Sequence, residues 1–332
     1  MKQSTYFGGL TIKRGNTPLM KAVAFRNKRE CQMLLERNVD PNEPSASRSK
    51  NTSAIYAATI GDESIFALLL EKKANPNLAN VCRVTPLLCA AKNGHLLICD
   101  QLLKYRPKIN LNHQDERGNT ALIHAAIQKN TDVCSLLIEE GADLNIVEED
   151  DNSTALILSA KYGFLPESIL LLNAGAIHSI QDWCGKTALT NASERGHLEI
   201  VQALIAVNAD PNIRDNLMRT ALSYASERGH LEIVQALIAQ GADTNLVDDH
   251  NETALHKAAR NKHLEICKCL AEQMLQESIV VLNHNNKSAL EVWGGRVNLS
   301  GDEIPREDLG EELSDDKKDF CAFIEGMLAE VL

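Results

Sequence analysis

The segment ASERGHLEIVQALIA occurs twice without change, at residues 192–206 and again at residues 225–239, so the two copies are 33 residues apart. Weaker copies, each opening with Thr or Ser, begin at residues 17, 52, 85, 120, 154, 187, 220, 253 and 288. Self-similarity at a period of 33 to 35 residues is typical of a solenoid, in which each unit buries its faces against its neighbours. The pattern therefore favours one array of repeats over two ordinary globular domains.

Each unit has the pattern of two short helices joined by a tight turn. The opening Thr predicts a helix N-cap, and Pro18 and Pro86 stand at the first helical position, where proline is tolerated. Gly196 and its equivalents end the first helix, and the second helix, HLEIVQALIA, has its apolar residues on one face. We therefore predict an all-α fold built from stacked helix-turn-helix units.

Two stretches carry a resemblance to a known family. They are DWCGKTALTNASERGHLEIVQALIAVNADPN at residues 182–212 and DDHNETALHKAARNKHLEICKCL, which begins at residue 248. This pattern resembles the ankyrin repeat and recurs in register about nine times over residues 12–292. The resemblance implies an all-α ankyrin-repeat solenoid with short β-hairpin-like turns. It also implies a protein partner, bound at the hairpin tips and the exposed face of the first helices, which form a concave groove.

The chain divides into four segments by composition. An N-terminal segment covers residues 1–11, and the array covers residues 12–292. An acidic linker follows at residues 293–316, and residues 317–332 form an amphipathic segment with apolar residues at helical spacing. We expect the last of these to be a helix.

Charge and hydropathy exclude several classes of ligand. The net charge is −11, and residues 302–332, with eleven acidic and three basic residues, supply −8 of it. Without a basic stripe the chain is not expected to bind nucleic acid. Without an apolar run of about 20 residues it is not expected to bind or cross a membrane. The N-terminus lacks the apolar core of a secretory signal peptide. We expect a soluble, cytoplasmic monomer that does not leave its cell by the general secretory route.

The nine cysteines are interpreted as reduced residues of an intracellular protein. Cys31, Cys99, Cys134 and Cys267 occupy one repeat position on the second helix, where a small apolar side chain is buried. Stacked helices lie about 8–10 Å apart, which exceeds the Cα separation that a disulfide needs. No CxxC pair is present, so a zinc site and other metals or cofactors are not expected.

Four histidines recur in GHL or KHL contexts, at residues 95, 197, 230 and 263. A residue repeated in each unit indicates a structural task, here a hydrogen bond to backbone at the turn between helices. Motifs for nucleotide binding or hydrolysis are missing, so the chain is predicted not to be an enzyme. One alternative is an enzyme or adaptor with a cryptic site, for example Cys82 or Cys184 near His124 with an unusual thiolate pKa. Another is a purely structural spacer.

Binding residues are expected where the units differ from one another. The resemblance places the partner-binding candidates at Val81, Lys92, Ile127, Tyr162, Trp183, Lys186, Arg195, Leu217, Met218 and Arg228. Trp183, Leu217 and Met218 are apolar residues on turn tips and, together with Tyr162, are predicted to form the centre of a protein-binding patch. The alternative is that the apolar residues tuck against the adjacent tip.

Two interpretations of the C-terminal segment stay open. Its amphipathic residues 317–332 fit a capping helix that covers the last repeat. A Glu-rich block followed by apolar residues at the C-terminus also resembles the translocation signal of bacterial type IV effectors, several of which are ankyrin-like. That resemblance implies delivery into the cytoplasm of a eukaryotic host cell.

Overall fold

The computed structural model describes residues 6–7, 10–11, 15–105, 109–274, 281–293, 319 and 322–323. The predicted C-terminal helix at residues 317–332 lies almost entirely outside the described residues. The chain separates into two compact units: unit 1 comprises residues 1–159 and 166–177, and unit 2 comprises residues 160–165 and 178–332. Each unit is described by itself below.

Unit 1 begins with a short antiparallel pair that the sequence did not predict, in which Tyr6 pairs with Thr11 and Phe7 with Leu10. Its elements are β1 (Tyr6–Phe7), β2 (Leu10–Thr11), α1 (Pro18–Ala24), α2 (Lys28–Glu36), α3 (Ser53–Ile60), α4 (Glu63–Glu71), α5 (Pro86–Lys92), α6 (Leu96–Leu103), α7 (Ala121–Ile127) and α8 (Thr131–Glu139). The next two helices, α9 (Ala155–Tyr162) and α10 (Leu165–Asn173), contribute residues to both units.

Unit 2 continues the alternation of first and second helices. Its elements are α11 (Ala188–Arg195), α12 (Leu198–Ala206), α13 (Ala221–Arg228), α14 (Leu231–Ala239), α15 (Ala254–Arg260), α16 (Leu264–Gln273) and α17 (Ala289–Trp293). Among the residues that the structure describes, no helix combines the length and the apolar run needed to cross a bilayer. The all-α helix-turn-helix fold predicted from the repeat is confirmed.

The Thr at the start of most repeats caps the first helix as predicted. The hydroxyl of Thr120 accepts from the Ile123 backbone N–H at 3.2 Å, and Thr187 and Thr17 cap their helices in the same way. These bonds satisfy backbone donors that the first turn of a helix leaves unpaired. Each first helix therefore begins at a fixed point directly after the hairpin tip.

Small side chains allow the first helices of neighbouring repeats to pack against one another. In unit 2, α11 packs on α13, α13 on α15 and α15 on α17, and the second helices α12, α14 and α16 stack in a parallel row. Cys31, Cys99, Cys134 and Cys267 are buried on second helices, as expected. Burial raises the pKa of Cys31 to about 11 and that of Cys99 to about 12, which suits unreactive core thiols.

The recurring histidines connect neighbouring repeats. His95 stands at the N-cap of its second helix, and its Nε2 lies 3.2 Å from the carbonyl oxygen of Thr59 in the preceding repeat. His263 contacts the Glu227 carbonyl in the same way at 3.3 Å. The predicted backbone bond is thus present at His95 and His263, but it crosses to the preceding repeat, and neither side chain caps its own second helix.

The imidazole rings pack against the glycine that ends the preceding first helix. A Cβ on Gly229, whose φ is +83°, would lie 2.7 Å from the His263 ring. The glycine therefore supplies both the left-handed backbone and the space for the ring.

We expect Gly229→Ala to lower the free energy of unfolding by about 1 to 3 kcal/mol more than Gly241→Ala does, measured by urea denaturation. Both positions have left-handed backbone, but a Cβ on Gly241 would meet nothing within 4 Å. Comparing the two variants separates the cost of placing alanine in left-handed backbone from the cost of removing the space that the His263 ring occupies. Equal destabilisation by the two substitutions would contradict the packing role of the ring.

Candidate protein-binding surface

A single carboxylate organises several of the hairpin tips. In the tip of residues 215–219, Asp215 Oδ1 accepts from the backbone N–H groups of Leu217 at 2.9 Å and Arg219 at 2.8 Å. Its other oxygen, Oδ2, accepts from the hydroxyl of Tyr224 at 2.7 Å, on the first helix of the same repeat. Such aspartate turns hold the backbone without help from the apolar side chains Leu217 and Met218. The tip is thereby fixed to α13.

The same arrangement recurs in four repeats, with a different donor in each. The donor always lies nine residues after the aspartate: His124 for Asp115 (2.8 Å), Asn191 for Asp182 (3.1 Å), Tyr224 for Asp215 (2.7 Å) and Lys257 for Asp248 (2.6 Å). An imidazole, an amide, a phenol and an ammonium thus fill one geometric role. Because the residue types differ, the sequence offered no signal for this pairing.

Neighbouring tips are joined by backbone hydrogen bonds. In unit 2 the Asn216 N–H donates to the carbonyl of Cys184 at 3.0 Å, and the Asp249 N–H donates to that of Leu217 at 3.1 Å. The Asn216 side-chain amide also donates to the carbonyl of Trp183 at 2.8 Å. These bonds place the tip that carries Trp183 beside the tip that carries Leu217.

The apolar tip residues point away from any core. The exposed fraction is 62% for Trp183, 44% for Leu217 and 44% for Met218 in unit 2, and 52% for Val81 in unit 1. This exposure disagrees with the alternative that they tuck against the adjacent tip. Because the turn is held by backbone and carboxylate groups, these side chains have no structural task there. They are free to contact a partner.

Met218 also has left-handed backbone, with φ of +61°. The equivalent residue is a glycine in two other repeats, Gly118 and Gly185, and is Arg83, Asn251 or Asn286 with left-handed backbone in three more. An unbranched side chain in this conformation costs about 1 kcal/mol relative to glycine. Left-handed backbone therefore recurs at this position with several side chains, and Met218 is the residue that leaves an apolar group exposed there.

The other predicted residues lie elsewhere than the tips. Tyr162, Arg195 and Arg228 each end a first helix, so about 12 Å of helix separates that row from the tips in unit 2. Tyr162 is exposed and stacks on Phe164 with ring centroids 5.7 Å apart, but it belongs to this row and not to the tip patch. In unit 1, exposed Lys92 and half-buried Ile127 likewise end α5 and α7.

Lys186 is held by its own repeat. Its ammonium lies 2.6 Å from Glu194 and 4.1 Å from the centroid of the Tyr224 ring, so it is less available to a partner than the sequence implied. Glu194 also meets Arg228 at 3.6 Å. Burial opposes ionisation of Glu194, yet these cations lower its pKa below the ordinary value.

The ion pair between Lys186 on the tip and Glu194 on the helix has an equivalent in each of the two following repeats of unit 2. In one of them the acid and the base exchange positions. Arg219 faces Glu227 at 3.5 Å, whereas in the next repeat Glu252 is the tip residue and Arg260 is the helix residue. The bridges run across the face between the tips and the row of helix ends. The charged side chains in the middle of that face are therefore already paired with one another.

Catalytic and metal-binding arrangements find little support among the described residues. His124 donates to Asp115, and burial lowers its pKa, so the ring is neutral at pH 7. Partial burial and the neighbouring Glu116 raise the pKa of Cys82, the opposite of what a reactive thiolate needs. Asp248, Asp249 and His250 lie close enough to share a cation, but the ammonium of Lys257 already occupies the Asp248 carboxylate.

Lys257 is buried and neutralises two buried carboxylates. Its ammonium lies 2.6 Å from Asp248 and 2.8 Å from Glu252. Burial alone would raise the pKa of each acid, but hydrogen bonds from Lys257 lower both values. The pair of ionised carboxylates therefore stabilises the fold above about pH 4 and loses this contribution as the pH falls through the depressed values.

We expect Lys257→Met to lower the free energy of unfolding at pH 7 by about 3 to 5 kcal/mol, because it removes the buried ammonium that the two carboxylates share. As cationic partners, Asp248 then keeps only Arg219, at 3.8 Å, and Glu252 keeps only the partly exposed Arg260. The difference in the free energy of unfolding between the variant and the wild type should shrink as the pH falls from 7 to 4, since protonation removes the uncompensated carboxylate charges. Urea titrations at several pH values test this. Lys268→Met, which removes an exposed ion pair with Glu265, is the control and should change stability by less than about 1 kcal/mol. A deficit independent of pH would contradict the electrostatic explanation.

Comparison with known proteins agrees with the geometry. A family model for ankyrin repeats in three copies matches residues 5–80, 54–148, 146–215 and 207–280. Similar proteins include "Ankyrin repeat and SOCS box protein 3" of Homo sapiens, 30% identical over 154 residues, which are 46% of this chain and 29% of that protein. "Neurogenic locus notch homolog protein 1" of Xenopus tropicalis is 26% identical over 151 residues, 45% of this chain and 6% of that protein.

A third relative is "Ankyrin repeat and KH domain-containing protein mask-1" of Caenorhabditis elegans, 27% identical over 207 residues, with 48% of this chain and 8% of that protein covered. The chain thus spans less than a third of the length of the curated relatives it matches. With the family model matching most of its residues and the helix pairs stacked in register, the chain belongs to the ankyrin repeat family.

Proposed function

We propose that this chain is a non-enzymatic module that binds a protein partner through the hairpin tips of unit 2. The observation that carries the proposal is the exposure of Trp183, Leu217 and Met218 on two hydrogen-bonded tips. Ankyrin repeats generally mediate protein–protein interaction, and the two tips differ in sequence, DWCGK at residues 182–186 and DNLMR at residues 215–219.

Rigid exposed apolar groups favour binding for a physical reason. Burial of a Trp side chain at an interface contributes strongly to affinity, and Trp is enriched among residues whose truncation weakens binding most. The backbone beneath Trp183 is already fixed by the Asp182 carboxylate, which accepts from the Cys184 and Lys186 N–H groups at 2.9 Å. Little conformational entropy is therefore lost when a partner covers the tip.

Two alternatives differ in what they require. A cryptic Cys/His enzyme needs a thiol with a depressed pKa beside an imidazole, whereas partial burial and the neighbouring Glu116 raise the pKa of Cys82. A structural spacer needs no exposed apolar tip, whereas Trp183, Leu217 and Met218 are exposed. The binding module accounts for these exposed side chains.

We expect Trp183→Ala and Met218→Gly each to reduce capture of the cognate partner by at least about tenfold in affinity purification with mass spectrometry. Met218→Gly should leave the fold as stable or more stable, because glycine relieves the left-handed backbone strain. Leu97→Ala is the matched control, since Leu97 is similarly exposed but lies on the second helix α6. A partner retained equally by the wild type and all three variants would overturn the proposal.

The acidic C-terminal segment supports a separate hypothesis about where the module acts. Residues 302–332, with a net charge of −8 and apolar residues at helical spacing, have the composition of a type IV translocation signal as well as that of a cap. We propose that the module is cytoplasmic and is delivered in this way into a host cell, where it acts as an effector.

A reporter fusion of the full chain, compared with a truncation that lacks residues 302–332, tests delivery. If the segment is a signal, the truncated protein should unfold at the same urea concentration as the full chain and fail to translocate. If it is a cap, the truncation should unfold at a lower urea concentration, because the last repeat would expose apolar surface to water. Translocation of a truncated protein would contradict the delivery hypothesis.

A further inference from the structure

We infer that the partner presents an acidic segment with an apolar anchor, and that this segment lies across unit 2 from the tips to the helix ends. The inference rests on the proposed function and specifies the chemistry of the bound segment. The apolar anchor contacts Trp183, Leu217 and Met218. The carboxylates contact Arg195 and Arg228, which lie at the other end of the first helices.

The carboxylates of this face are neutralised or turned inward. Glu194 is largely buried between Lys186 at 2.6 Å and Arg228 at 3.6 Å, and Glu227 pairs with Arg219 at 3.5 Å. Asp215 directs its two oxygens at tip N–H groups and at the Tyr224 hydroxyl. Few negative charges on this part of the surface therefore oppose an incoming acidic segment.

The guanidinium groups at the helix ends are the charges that remain available. Arg195 is exposed and makes no ion pair within the described part of the chain. The Arg228 side chain is 57% exposed, and its one carboxylate neighbour, Glu194, is already bound more closely by Lys186. Exposed guanidinium groups bind carboxylates in two-pronged geometry, so this row selects acidic residues.

The two ends of the face differ in charge, which gives the segment a direction. At the tip end, Asp249 is exposed and lies 2.7 Å from His250 Nδ1, and the Arg214 guanidinium donates to the Met218 and Val247 carbonyl oxygens. A carboxylate there would meet a like charge and an arginine that is already engaged. At the helix ends, two equivalent arginines occupy adjacent repeats because α11 and α13 pack together. The apolar anchor therefore belongs at the tips and the acidic residues belong at the helix ends.

The length of the first helix sets the spacing between the two parts of the bound segment. Helix α11 has eight residues, which is about 12 Å at 1.5 Å per residue. An extended peptide covers this distance in about four residues and a helical one in about eight. The partner segment should therefore contain Asp or Glu about four or eight positions away from an aromatic or aliphatic anchor.

A library of random 16-residue peptides displayed on phage, selected on the full chain, tests the inference even while the partner is unidentified. We expect peptides whose binding depends on Trp183 to be enriched in Asp and Glu at the spacing given above. The double variant Arg195→Gln and Arg228→Gln should bind a synthetic copy of such a peptide about tenfold more weakly, and raising the salt from 50 to 500 mM should remove most of this difference. Leu97→Ala should bind as the wild type does.

The outcomes separate the inference from the proposed function. Peptides that depend on Trp183 but are neutral or basic, or that bind the double variant unchanged, would overturn the acidic-segment inference and leave the tip-binding function intact. A selection in which no peptide depends on Trp183 would overturn both. Thermal denaturation of the double variant at the wild-type midpoint establishes that weaker binding reflects lost charge and not lost fold.

Discussion

The hydrogen bonds of the tip carboxylates are the interaction on which the candidate surface depends. One oxygen of Asp215 orders the turn, and the other attaches that turn to α13 through Tyr224. A buried carboxylate with several N–H and O–H donors holds backbone more firmly than loop side chains can. The shape of the tip is thereby independent of the side chains that it displays. Trp183, Leu217 and Met218 can vary in chemistry without affecting the fold.

Because the tip backbone does not depend on the exposed side chains, different residues of each repeat maintain the stack and face a partner. Residues that recur, such as the capping Thr, the turn Gly and the His that crosses to the preceding repeat, maintain the stack. Residues that change between repeats stand on the tips and at the ends of the first helices. The strain at Met218 belongs to the second group, because a glycine would satisfy the backbone better. Stability and recognition are therefore carried by different positions.

Much of the fold was predictable because it follows from local rules that recur in every repeat. The period, the Thr caps, the glycine turns and the buried cysteines of the second helix follow from spacing and side-chain type. The two-stranded pair at residues 6–11 did not, since its strands have only two residues each. The sequence predicted a backbone bond for the recurring His, but one repeat alone cannot show that the acceptor lies in the preceding unit.

The candidate surface was predictable only in part. Tip positions follow from the register of the repeat, and the exposure of Trp183 and Leu217 agrees with that register. Two features depend on three-dimensional packing and were not visible. Tyr162 lies one helix length from the tip row, and Lys186 is bound by Glu194 eight residues later in the chain. The register of a repeat shows which positions are exposed, but it does not show which charges the fold has already neutralised.

Hydroxyl-radical footprinting of the protein, free and bound to the partner that it captures, measures whether the tips are covered in the complex. We expect oxidation of Trp183 and Met218 to be high in the free protein and to fall severalfold in the complex, because their exposed side chains become covered. The buried Trp293 should react little in both states and serves as an internal reference. Unchanged oxidation of Trp183 and Met218 in a complex that protects other residues would contradict the claim that these tips are the binding surface.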